Sequence, residues 1–256
     1  MIGSPCIDVC KLTGGACVGC GRTQNEIANW SSMSDKDKEK WWDDHPIYFA
    51  GIGSRKTPHE LLSDLSEFSS CLQDMGYCLR SGAAKGADTA FEHNITRKDI
   101  FVAETKNTKY RPAKTRGLDQ IDPVYVKQAY EIAQKHHGGW VHLSDYAKKL
   151  MARNVLQILG DDLKHPVQFV LCWTDKVYFD AEGRIKNVNG GTGLAVRLAY
   201  SLGIPVVHTH LKQFEPFHQS IRQRDFKALQ SLCGNPITPP ITPNTPTLKK
   251  LRWKRT

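Results

Sequence analysis

Nowhere in the 256 residues does an apolar run approach the roughly 18 residues that a membrane-spanning helix requires. The start of the chain also lacks the basic-then-apolar order of a secretory signal. A cytoplasmic chain with no membrane partner is therefore expected. Two nucleotide fingerprints are missing as well. After Gly53 comes Ser54-Arg55 rather than the spacing of G-x-G-x-x-G, and Lys85 precedes Gly86 instead of the Ser or Thr of a P-loop. What remains is the composition of a soluble globular protein, with 40% apolar and 24% charged residues, which excludes a fibrous or wholly disordered chain.

The net charge of +9 is unevenly placed. Lys249, Lys250, Arg252, Lys254 and Arg255 crowd the last eight residues, which leaves 30 basic against 26 acidic residues in the rest. Charge alone is a weak argument for a nucleic-acid partner. The eight cysteines divide too. Cys6, Cys10, Cys17 and Cys20 fall within fifteen residues, whereas Cys71, Cys78, Cys172 and Cys233 lie in apolar surroundings that suit core positions.

Three segments follow from the patterning. Residues 1–45 form a cysteine module too small to be held by its own core, in which Ser34 caps a charged helix. Residues 46–233 alternate strand and helix, the signature of an α/β domain with a doubly wound, mostly parallel, Rossmann-like sheet. The expected strands are 47–50, 77–80, 100–103, 167–173 and 204–208. Thr57-Pro58-His59-Glu60 reads as a capping box, Asp122-Pro123 and Ser144 as starts of helices reaching Lys135 and Leu159, and 217–233 as one terminal helix. Residues 234–256 form a Pro/Thr-rich linker and a disordered basic tail.

Three junctions carry small residues: Gly51-Ile-Gly53-Ser54-Arg55, Ser81-Gly82-Ala-Ala-Lys85-Gly86-Ala-Asp88 and Gly190-Gly191-Thr192-Gly193. At the carboxyl edge of a doubly wound sheet such loops let an anion approach main-chain N–H groups and helix starts. Arg55, Arg80, Lys85 and Arg197 are the cations within reach of a phosphate held there. Together the three loops resemble the SLOG nucleotide-binding superfamily, which includes DprA and the LOG proteins, over about residues 47–210. The closest likeness is the DprA-like branch often encoded by bacteriophages, to which Met151-Ala-Arg153-Asn154-Val-Leu-Gln157 is also similar.

The resemblance implies a nucleotide or nucleotide-derived ligand. It leaves two alternatives: single-stranded DNA binding as in DprA, or hydrolysis of a nucleoside monophosphate as in LOG enzymes. DNA is favoured by the basic loop with Lys106, Lys109, Arg111, Lys114 and Arg116 and by Trp253 in the tail. Hydrolysis is disfavoured because Leu194-Ala-Val-Arg197 stands where LOG enzymes carry an acidic residue. Asp88 and Glu92, four apart on one helix face, are the substitute carboxylates.

The spacing CxxxC-x6-CxxC, with Gly14-Gly15 allowing chain reversal, lets Cys6, Cys10, Cys17 and Cys20 converge on one tetrahedral ion. Zinc ranks first and an iron–sulfur cluster second, since both use four thiolates. Residues 3–42 resemble a small bacterial domain of unknown function described as an iron–sulfur protein. A homo-oligomer is compatible with all of this.

Overall fold

The computed structural model describes residues 3–6, 8, 11–17, 20–105 and 114–233. In chain order the elements are β1 (Leu12–Thr13), β2 (Ala16–Cys17), α1 (Gln24–Asn29), α2 (Asp35–Asp44), β3 (Ile47–Gly53), α3 (Leu62–Asp74), β4 (Tyr77–Ser81), α4 (Ala87–Phe91), β5 (Lys98–Val102) and β6 (Thr115–Gly117). There follow α5 (Pro123–Lys135), α6 (Asp145–Leu159), β7 (Phe169–Trp173), β8 (Val177–Phe179), β9 (Ile185–Val188), α7 (Gly193–Ser201), β10 (Val206–His208), α8 (Glu215–Arg222) and α9 (Phe226–Cys233).

Six strands form one wholly parallel sheet in the order β10-β7-β3-β4-β5-β6. The chain starts at β3, winds outward through β4, β5 and β6, then returns to the other side of β3 for β7 and β10. The strand order thus reverses between β3 and β7. Strand alternation feeds two cores. Phe49, Leu79, Phe169, Leu171 and Val207 point toward α3, α8 and α9, whereas Ala50, Ile52, Phe101, Val170 and Cys172 point toward α5, α6 and α7. β7 is buried on both faces, which is why its sequence is continuously apolar.

Local chemistry sets the helix ends. Asp122 accepts from Val124 N at 2.8 Å with Pro123 in the first turn, and Ser144 accepts from Ala147 N at 3.2 Å. The cysteine module rests on the body through tryptophans. Trp30, Trp41 and Trp42 are buried in the same core as Phe49, Tyr77 and Phe226, and Trp42 meets Phe226 edge-on at 6.0 Å.

Four local expectations are corrected. Thr57 does not cap a helix. Its hydroxyl donates to Ser54 O at 2.7 Å, a tight turn occupies His59–Leu61, and α3 begins only at Leu62. The terminal helix is two helices, because Arg224 adopts φ +56° and Asp225 caps α9 by accepting from Ala228 N at 2.9 Å. Part of the segment read as a basic loop is an edge strand, β6. A capping box between Thr23 and Glu26 starts α1, which sequence reading passed over. No described helix is long and apolar enough to cross a membrane.

Candidate functional site

The crevice of a doubly wound sheet opens outside the carboxyl ends of the strands where the order reverses, here at the loops that follow β3 and β7. Gly51 and Gly53 end β3 for steric reasons internal to the chain. A Cβ on Gly51 would sit 2.6 Å from the Phe91 ring, and one on Gly53 would sit 2.5 Å from Trp173 O and 2.6 Å from the Ala87 Cβ. The loop is then pinned between neighbours, with Ser54 N donating to Trp173 O (2.9 Å) and Ala87 N donating to Ser54 O (3.2 Å). Arg55, which follows, is exposed and makes no ion pair among the described residues.

The second loop, Ser81 to Gly86, closes on the protein's own carboxylates. Asp88 accepts from Gly53 N at 3.1 Å and from the main-chain N–H groups of Ala84 and Gly82, and Glu92 accepts from Ala83 N at 2.8 Å. Both side chains are almost fully buried. Burial pushes the Asp88 carboxyl up to about 6, against the pull of Arg153 and the N–H groups. It pushes Glu92 up to about 7, with the charge of Asp88 adding to the effect. The loop is strained at Ala83, with φ +53°, and needs glycine at position 86, where φ is +84° and a Cβ would meet Ser54 O at 2.5 Å. Lys85 stays exposed on its outer side.

Behind this loop stands Arg153 of α6, buried and 3.9 Å from Asp88. Its Nη1 donates to Asn154 Oδ1 (2.8 Å) and Gln157 Oε1 (2.9 Å), and its guanidinium fills the space where a Gly82 side chain would stand. Arg153 Nε, Gln157 Nε2 and Glu92 Oε2 are buried without a hydrogen-bond partner. Sequence reading gave Arg153 no role. The signal was an Arg-Asn pair inside an otherwise apolar helix segment.

The third loop differs from both. Gly190 and Gly191 are exposed, and a Cβ on either would meet no atom of the described residues within 4 Å. Gly190 adopts φ +74°, and Gly193, starting α7, is packed against Val188 O. Asn154 Nδ2 donates to Gly191 O at 2.9 Å, which ties the loop to α6 beside Arg153. The loop follows the β8–β9 hairpin rather than a strand of the main sheet.

Two candidate cations are engaged elsewhere. Arg80 is buried with its guanidinium 3.6 Å from the Tyr48 ring centre, donates to His165 O, and packs against Gly160. Arg197 donates to His136 O (2.8 Å) and Asn187 Oδ1 (2.7 Å), bracing α7 against the tip of the α5–α6 hairpin. His208 is likewise structural, bonded through Nε2 to Thr174 O at 3.0 Å with burial lowering its pKa. In the basic segment, Lys106, Lys109 and Arg111 lie outside the described residues, and Arg116 is paired with Asp99 and Asp161.

In the cysteine module, Gly14 and Gly15 adopt φ +61° and +88° and turn the β1–β2 hairpin, as chain reversal between the cysteine pairs requires. Cys17 and Cys20 are buried, and Arg22 Nε donates to Cys20 Sγ at 3.4 Å while its guanidinium lies over Trp30. Cys10 lies outside the described residues, and among the described ones no three His, Cys, Asp or Glu side chains are gathered for an ion. Residues 4–46 match the model of a protein family of unknown function, DUF1289, whose last matched residue directly precedes β3. No curated protein and no solved structure matches the chain.

Proposed function

We propose that the crevice at the reversal of strand order binds a nucleotide or nucleotide-derived ligand by its phosphate. The observation that carries the reading is the contrast among the loops. The N–H groups of the second loop are occupied by Asp88 and Glu92, whereas the third loop is open and leads into α7. Anions favour such a helix start. Arg55 and Lys85, the exposed cations of the first two loops, neutralise the phosphate by charge-assisted hydrogen bonds. The likeness of the three loops to the SLOG superfamily supports the same class of ligand. Asp88 and Glu92 are turned inward, which favours binding over LOG-type hydrolysis; DNA binding remains the competing reading through Lys85 and the basic segment. Calorimetric titration with mononucleotides, cyclic nucleotides, ADP-ribose derivatives and short single-stranded DNA tests it. Binding of a small nucleotide that Gly191→Val abolishes is the expected result, and binding of DNA alone would replace the reading.

We further infer that Cys6, Cys10, Cys17 and Cys20 hold one metal centre, zinc first and an iron–sulfur cluster as the alternative. The donor chemistry fits, since four cysteine sulfurs suit either ion, and Cys17 and Cys20 are both buried. Elemental analysis and an absorption spectrum of anaerobically purified protein decide between the two; four freely reactive thiols and no metal would refute both.

A further inference from the structure

A cavity lies away from the crevice, along the open edge of the main sheet. It is an apolar groove of about 360 Å³ beside β10, walled by Tyr200, Ile204, Val206, Phe214, Phe217 and Leu232. β10 bonds to β7 through Pro205 O (to Val170 N, 2.9 Å) and Thr209 N (to Cys172 O, 3.0 Å). In a parallel pair the main-chain groups of alternate residues face opposite edges, so those of Val206 and His208 face outward. His208 O is taken by His218 Nε2 at 3.0 Å. The N–H and C=O of Val206 are left facing the groove. An open strand edge beside an apolar trough is a surface that folded proteins ordinarily cover.

The chain itself offers the cover. Leu232, in the groove wall, is 46% exposed although it belongs to the last described helix. One residue beyond it begins Gly234-Asn-Pro-Ile237-Thr238-Pro-Pro-Ile241-Thr-Pro. From Gly234 to Leu248 there is no charged residue, in contrast to the basic run that follows. Proline-rich segments are pre-set for extended docking in aromatic-lined grooves, and an extended segment adds to an open sheet edge through main-chain bonds. From Leu232 to Ile237 is five residues, a reach of about 15 Å in extended form.

We propose that residues 236–241 occupy this groove, with Ile237 and Ile241 in the apolar trough and the Ile237-Thr238 main chain bonded to Val206, so that the segment seals the edge of the sheet. The basic residues 249–255 are then presented from a fixed point on the body.

Hydrogen exchange of the full chain tests this at the amide of Val206. Relative to the native chain, Ile237→Asp/Ile241→Asp should speed exchange of the Val206 amide at least tenfold and leave Leu171 and Leu79 unchanged. A peptide of residues 234–248 added to that variant should restore protection, with no dependence on salt. Equal exchange in the two chains, or no effect of the peptide, overturns the proposal. So does protection that depends on protein concentration and accompanies a doubled mass, since the occupant would then be a second copy.

Discussion

The second and third glycine loops lie at the same edge of the fold and differ in what fills them. In the second, the protein itself fills much of the space around the main chain: carboxylates accept its N–H groups, Arg153 lies on Gly82, and Ser54 O lies against Gly86. In the third, no atom of the described residues lies within 4 Å of where a Cβ on Gly190 or Gly191 would stand. Glycine thus has two meanings in one site. It marks close packing of the chain on itself in one loop and room for something else in the other.

The sharpest way to break this contrast is to add a side chain where the protein already fills the space. Gly53→Val forces a Cβ against the Trp173 carbonyl and should cost about 3 kcal/mol, at the upper end for overpacking because main chain cannot step aside. A shift of the urea midpoint measures it. Next in size is the response to pH. Asp88 and Glu92 hold their protons more tightly folded than unfolded, rising from 3.8 to about 6 and from 4.5 to about 7. The stability that this lends is fully present below about pH 4 and is lost as the pH rises through 6 to 7, by up to about 3 kcal/mol per group. Glu92→Gln should flatten its share of that decline while keeping an acceptor for Ala83 N, as denaturation at pH 5 and pH 8 would reveal.

The paired loops were only half legible beforehand. Periodicity and caps located five of the six sheet strands, α5 and α6, because each is specified by neighbours in sequence. The division of labour among the glycines was not, since it depends on Phe91, Trp173 and Arg153 arriving from elsewhere in the chain. For the same reason the sequence did not show that Arg80 and Arg197, read as candidate ligand cations, donate to the carbonyls of His165 and His136. The split between α8 and α9 was readable in principle from Asp225, a cap residue with no proline or glycine beside it to draw attention.

Smaller effects sharpen the comparison from the open side. Arg55→Ala should weaken phosphate-ligand binding tenfold to a hundredfold, the loss of one charge-assisted hydrogen bond, with the melting temperature unchanged in the absence of ligand. Gly191→Ala should alter stability by less than about 0.5 kcal/mol, as expected for an exposed position away from packing. A larger loss would mean that the third loop is as tightly committed as the second.

The buried tryptophans bear on how the cysteine module and the sheet are inherited and unfolded together. Gly76, the turn after α3, adopts φ +91° and accepts the Trp42 ring so closely that any Cβ would be 2.5 Å from it. Trp42 is 1% exposed, although it belongs to the matched family segment, and the pocket that receives it is built by the other. Such a plug and socket make the boundary at Pro46 a seam in sequence rather than in cooperativity. Cutting there would uncover several aromatic rings on the sheet domain, and transplanting the module onto another protein would carry the plug without its socket.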